Sequence, residues 1–455
     1  MAYSTNKSQQ YKITEALISA DRLGGFDAIS FNVQNQIVEF NVFESLDKPY
    51  LTGSVAILDD KGLFDAIQFQ GTELFRLSMA SLQNDLDPIF QKEFYLTGVE
   101  RSVKSNDNAK SSVYLFSFIE KHAFKSRLTK ISRSFNSSLD FAITQIIGRE
   151  FKKDTDISYY LSAEGEQVNP IQTRIKGIIP NLTPLQTIEW MLSRATTNTG
   201  SPFFCWSTIH DERLRFGNLD VMIKQKPFNS KLPYTYNPAN VSTAVDAGDT
   251  EQGFVVKEII TKNQGNTYKL MDAGSVSANM GNTNLNTGLI SNRHFSIRKT
   301  LEKLEKEGIT EEKMQNVFDP DIKIDDVPLD DYDAMKYHTL TSSGTYGQYR
   351  SYHDEPDPTL FLKKLEGRAV KNHLFKNQYM AVVTGTAFFL AKASVGDMVR
   401  MRVVNDNSEV TLFSSEDDML DKRKSGDFLI YDIRHTFQDT SHTVAMNLVK
   451  LERDK

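Results

Sequence analysis

Histidine carries acid–base and metal chemistry near neutral pH, so the eight histidines of this 455-residue chain are the first places to look for a site. One of them, His435, lies in SGDFLIYDIRHTFQDTSHTVAMNLVK (425–450), which reads as a β-hairpin closed by the polar turn Gln438-Asp439-Thr440-Ser441. Alternation along a strand puts Leu429, Tyr431, Ile433, His435 and Phe437 on one face. An ionisable group in an apolar row is either a working residue or part of the scaffold. Ile433 and Phe437 flank it, and no acid or second histidine stands two residues away. His442 follows seven residues on, near the turn, where its direction is unreadable. His435 is therefore read as a structural histidine that donates to a neighbouring backbone carbonyl.

The other candidates are weaker. His210-Asp211-Glu212 and His353-Asp354-Glu355 each set a histidine beside two acids, but adjacent side chains diverge and rarely converge on one metal. The acidic run DPDIKIDDVPLDDYD (319–333) fails as a calcium loop, because Lys323 and Ile324 stand where an oxygen ligand and a glycine are needed. It reads as a solvated, poorly ordered loop. Gly274, Gly281 and Gly288 recur in GSVSANMGNTNLNTG (274–288) without a phosphate-cradle pattern, and this stretch reads as a polar loop. No HExxH, GxSxG, GxxxxGK[ST] or strand-following GxGxxG is present. No catalytic residue, cofactor or metal ligand is assigned.

The elements that would position such residues are mostly strands. Phe is abundant, at 29 residues against two Trp, and aromatics favour the pleated sheet. Alternating runs at 11–18, 31–44, 49–60, 71–80, 93–103 and 112–120 predict an antiparallel sandwich or barrel, with a single helical turn at 61–67. Helical periodicity then follows at 137–151, where Leu139, Ala142, Ile143, Ile146 and Ile147 share a stripe. A second helix opens at Thr183-Pro184-Leu185-Gln186, a capping box with Pro at the first helical position; Leu185, Ile188, Leu192 and Ala195 are its predicted buried stripe. Strands are predicted again at 201–209, 213–224, 254–262, 266–274, 379–389 and 394–404, with charged helices at 296–308 and from Asp357 to about 374. The expected fold is mainly β with α insertions, and length alone suggests two to four domains.

Composition narrows the function. A net charge of −6 and a pI near 5.8, with no basic run longer than 422–424, argue against a nucleic-acid-gripping surface. The single Cys205 excludes an intrachain disulfide and reads as a small buried hydrophobe in SPFFCWST. The polar, flexible first ten residues lack a signal-peptide core, and no apolar run approaches membrane-span length, so assembly in the cytoplasm is expected.

The closing stretch SVGD (394–397) followed by GDFLIYDIRHTF…HTVAMNLVKL (426–451), with Gly396 and His435 at matching positions, resembles the C-terminal barrel of the central baseplate hub proteins of contractile-tailed bacteriophages, which are related in fold to the hub part of the type VI secretion spike. Residues 114–147 and 177–223 resemble the strand–crossover–helix region of the same family, including a Pro-Asn-x-[Ser/Thr]-Pro helix start that matches Pro180 and Pro184. Residues 54–77 fit its first barrel, whereas 289–372 depart from the pattern.

The resemblance implies two antiparallel tube-type β-barrels. The first would be built from 11–125 and completed by about 213–250, the second from 251–288 and 375–455. An α/β insertion at 126–212 and a helical, acidic-loop insertion at 289–374 would interrupt them. It also implies a non-enzymatic homotrimer forming a pseudo-sixfold ring in the virion tail. That ring would touch the tail tube protein, the central spike protein and other baseplate proteins, with the tape measure protein a further candidate, and would pass DNA without gripping it. The alternatives are a tail-associated cell-wall hydrolase, which needs converging acids or a metal site, and a host-binding tail protein, which needs repeats and exposed aromatic patches.

Overall fold

The computed structural model describes residues 11–20, 29–60, 62, 64, 69–81, 84–104, 112–156, 175–197, 199–231, 233–236, 256–263, 267–285, 288–306, 322–332, 335–341, 359–375, 378–384, 393–404, 420–422, 424–438 and 441–450. The first ten residues, most of the turn at 61–67 and the His353 triplet lie outside these.

The chain is mainly β with helical insertions. Thirteen strands form one sheet: β1 (Lys12–Ala20), β2 (Ile29–Asn32), β3 (Ile37–Ser45), β4 (Thr52–Asp59), β5 (Leu74–Ser81), β6 (Asn84–Lys104), β7 (Ser112–Glu120), β8 (Tyr234–Tyr236), β9 (Val256–Asn263), β10 (Gln378–Thr384), β11 (Met398–Val403), β12 (Gly426–Gln438) and β13 (Ser441–Lys450). Its main path runs β9-β10-β13-β12-β3-β4-β7-β6-β5-β1-β2. Among the described residues the ladder forms one continuous path, in which no closed barrel is found.

The join lies within β12. Its second half, Asp432 to Gln438, pairs with β3, while Gly426 to Leu429 pairs with β11 on the same edge. A bulge at Tyr431 separates the halves, and its carbonyl accepts from Leu46 N just past the end of β3. Because a bulge adds one residue, it also resets which side chains face inward. The predicted row from Leu429 to Phe437 is therefore broken at Tyr431; Ile433, His435 and Phe437 share the buried face beyond it.

Three apolar cores result. One fills the β1–β7 section around Phe40, Phe75, Phe94, Phe116 and Phe118. A second packs Trp206, Tyr234 and Phe428 beneath β10–β13. The third is helical. It holds the whole predicted stripe of α2 (Leu139–Ile146), which continues at 147–151 as a π-turn, together with Ile188 and Met191 of α3 (Pro184–Leu192); α1 is the single turn Lys121–Ser126. The Thr183 capping box forms as predicted, but the buried stripe of α3 is Pro184, Thr187, Ile188 and Met191, with Leu185 and Leu192 only half-buried.

Other local expectations are overturned by caps and turns. The second half of the predicted strand 213–224 is the helix α4 (Leu219–Lys224), because Asn218 Oδ1 accepts from Val221 N at 3.0 Å and caps it. The predicted strand 266–274 is the helix α5 (Thr267–Asp272), closed where Gly274 takes φ +63° and Ser275 N returns to Leu270 O. Residues 277–284, read as loop, form the middle strand of a small sheet with 290–296 and 336–341. The acidic stretch is ordered from 322 to 332: a two-residue turn at Asp325-Asp326, both at positive φ, joins two short strands. Asp330 is buried there, ion-paired to Arg298 of α6 (Ile297–Lys306) at 2.6 Å. The last long helix is α7 (Thr359–Leu374). Among the described residues no helix is long and apolar enough to cross a membrane.

Gly396 sits at φ +91° in the turn Ser394–Asp397, and a Cβ there would meet the Trp206 ring at 2.8 Å. Gly396→Ala is expected to lower the unfolding free energy by about 1–3 kcal/mol in urea titration, with the slope of the transition unchanged.

Candidate functional site: a buried ionic junction at residues 203–211

The segment from Phe203 to Asp211 touches every core. Strand alternation sends Phe203 and Cys205 into the helical core and Phe204 and Trp206 into the β10–β13 core, and Ile209 enters the β1–β7 core. Its polar groups are met by charged side chains of the sheet. Ser207 Oγ donates to Glu120 Oε2 at 2.8 Å, Ile209 N donates to Glu44 Oε1 at 2.7 Å, and Lys92 Nζ donates to the carbonyl of Asp211.

Glu120, at the inner end of β7, is the first ionic centre. Its carboxylate accepts from Leu51 N at 3.0 Å and from Lys153 Nζ at 2.6 Å, with Lys92 Nζ at 3.6 Å and His122 Nδ1 at 3.4 Å. Burial by itself would raise its pKa; the surrounding His122, Lys92 and Lys153 outweigh that and hold it well below the usual carboxylate range. Burial conversely pushes Lys92 down, against the pull of Glu120.

Glu44, on β3, is the second. Besides Ile209 N it accepts from Val395 N at 3.3 Å, in the turn that carries Gly396. His435 Nε2 stands 3.6 Å from it, and His435 Nδ1 faces His442 Nε2 at 3.1 Å. Burial opposes its ionisation, but His435, then His210, then the Ile209 amide bring the Glu44 pKa below normal. His442 is held well below the usual histidine range by burial, reinforced by His435 and His210. The ring of His442 also stacks on Phe437, with centroids 4.3 Å apart.

The expected partner of His435, a backbone carbonyl, is thus corrected to a histidine and a carboxylate. Register explains it: Ile433 lies opposite Glu44 on β3, and Phe437 lies opposite His442 on β13, so both partners flank His435 diagonally on one face. At 0% and 1% exposure, His435 and His442 are closed to any substrate of this chain. A glutamate and two histidines in contact could relay a proton, but in this fold they hold three chain segments together.

His435 faces Glu44, and Gly396 lies against Trp206 in the turn whose Val395 amide donates to Glu44. Pro180 and Pro184 remain in the helical insert, where Pro180 is exposed ahead of Asn181 at φ +55° and Pro184 is the buried first residue of α3. Asp211 pairs with Arg213 at 2.9 Å instead of turning to a metal, and Cys205 is buried, its thiol pushed up to about 12 by burial. Among the described residues no three His, Cys, Asp or Glu side chains are grouped to hold a metal ion. Sequence reasoning missed Glu44, Glu120 and Lys92. The signal was the one that marked His435: each is a charged residue in phase with inward apolar side chains, as in Phe40-Val42-Glu44, Phe116-Phe118-Glu120 and Phe90-Lys92-Phe94 at alternate positions.

No protein-family model matches the chain, and no curated protein matches it. Solved structures do. A tail protein from Neisseria meningitidis MC58 is similar over 97% of this chain and 96% of its own, at 10% identity and a TM-score of 0.50. The 43 kDa tail protein of prophage MuSo2 from Shewanella oneidensis covers 96% and 98%, at 10% identity and 0.47. An Escherichia coli component of the type VI secretion system, itself similar to T4 bacteriophage tail proteins, covers 97% and 76%, at 9% identity and 0.42. The chain shares its fold with the Neisseria tail protein. That likeness to a tail protein agrees with the resemblance read from the sequence.

Two outcomes follow from the junction. Glu120→Gln leaves Lys92 and Lys153 without their counter-charge, and should cost about 3–5 kcal/mol in urea unfolding; adding Lys92→Met should recover part of it. Because the folded-state pKa of His442 is depressed, the unfolded chain binds the extra proton. Stability should be full above about pH 6.5 and fall below it, by up to about 1.4 kcal/mol per pH unit from this group. His442→Phe should flatten the unfolding free energy between about pH 7 and 5. The depressed pKa values of Glu44 and Glu120 act lower, their stabilisation being lost only as pH falls below about 4.3.

Proposed function

We propose that this chain is the structural hub of a contractile-type phage tail baseplate or a related injection machine. Three copies form a pseudo-sixfold ring that joins the tail tube to the central spike and leaves a channel for DNA. The observation that carries this reading is the end-to-end likeness to the Neisseria tail protein, over 97% of one chain and 96% of the other. The whole architecture is shared, not one module.

The two β cores support the symmetry argument. A chain with two β sections, each with its own core, offers six similar units per trimer. The net charge of −6 suits a wall past which DNA slides without sticking. Burial of the histidines and of the two glutamates at the junction favours a non-enzymatic role. The partners are the tail tube protein, the central spike and surrounding baseplate proteins, with the tape measure protein a further candidate. The site of action is the virion tail, after assembly in the host cytoplasm. The excursion at about 289–372 supplies contacts particular to this machine.

Native mass measured on the purified chain, alone and with its spike partner, should give a species near three times 51.7 kDa in at least one sample. A strict monomer in both, at high concentration, would remove the ring.

A further inference from the structure

A cleft of about 330 Å³ opens between the helical insert and α7. Its lining includes the apolar Leu46, Leu192, Phe203 and Phe204, three basic residues, and the acidic Asp47 and Glu189. Lys364, Arg368 and Lys371 follow one another at helical spacing along α7 and all line it. The three are not equivalent. Lys371 is committed: its ammonium pairs with Asp47 and lies over the rings of Phe204 and Tyr431. Arg368 spends one amino group on the Ala273 carbonyl, at 2.9 Å, and on the Tyr337 hydroxyl.

Lys364 is different. It is half-buried, and among the described residues its ammonium has no hydrogen-bond or ion-pair partner. Burial, then Arg194 and Arg368, push its pKa down, which places like charges around it. Glu189 lines the same cleft but forms no ion pair with any described residue, and burial pushes its pKa up. A half-buried cation among cations, in a partly apolar cleft, is a position that an incoming anion would stabilise.

We propose that this cleft receives an acidic segment of a partner protein, with a carboxylate between Lys364 and Arg368 and an apolar side chain against the apolar lining. The volume suits two or three side chains and is too small for a folded domain. A nucleic acid is disfavoured, because the cleft offers few cations to a phosphate backbone and the chain is acidic overall. That the partner belongs to a tail assembly rests on the hub reading; the cleft and its charge do not.

The test uses the full chain and a fluorescein-labelled hexapeptide alternating phenylalanine with glutamate, read by anisotropy at about 50 mM salt. Saturable binding is expected, weakened at least about tenfold by Lys364→Glu and by Arg368→Glu, and unchanged by Lys336→Glu on the small sheet. Lys364→Gln should weaken it too with the thermal midpoint unchanged, which separates lost docking from lost folding. Absence of binding, equal binding of the glutamine version of the peptide, or retained binding in Lys364→Glu would each overturn the proposal. So would a single-stranded DNA oligonucleotide that competes as well as the acidic peptide. A chain that binds the peptide yet stays monomeric both alone and with its spike partner would support the cleft while removing the ring; a trimer that binds nothing would do the reverse.

Discussion

A carboxylate moved out of water loses several strong hydrogen bonds, and the fold keeps it ionised only by returning them. Glu44 and Glu120 set that condition at the centre of this molecule. Between them they collect amide donors from Leu51, Ile209 and Val395, a hydroxyl from Ser207, and the charges of Lys92, Lys153 and the nearby histidines. These donors come from distant parts of the chain. Each carboxylate is satisfied only when the β1–β7 section, the segment 203–211 and the other segments that supply its donors are in place. The electrostatics therefore select one mutual arrangement, a use of buried charge that apolar packing, being non-directional, does not supply.

The segment 203–211 is where this selection meets the packing. An ordinary edge strand gives one face to a core and the other to water, but Phe203 to Trp206 is buried on both faces. With Ile209 it lends side chains to three cores in seven residues, so no core can be assembled independently of the others. Gly396 completes the contact, since only a residue without a Cβ allows the Ser394–Asp397 turn to lie against the Trp206 ring.

The bulge at Tyr431 extends the same coupling into the sheet. A regular β12 would continue on β11 or on β3, not both; one extra residue lets it leave one and take up the other. The two β sections thus share a strand.

Much of this was legible from residue order. Period-two alternation located β3, β4, β7, β12 and β13, and the capping residues Thr183 and Gln186 located α3, because these depend on neighbours within a few residues. The helices at 219–224 and 267–272 were also marked locally, by Asn218 and Gly274, yet their Val, Ile and Tyr residues outweighed the caps in a reading by propensity. Even the ionic centres left a trace, as charged residues in phase with buried phenylalanines. What that trace could not name was the partner. His435 meets His442 and Glu44 because of strand register and a bulge, and Glu120 meets Ser207 across 87 positions. Alternation and capping are written in adjacent residues; which buried charge faces which is decided only when separate segments compete for the same dehydrated space.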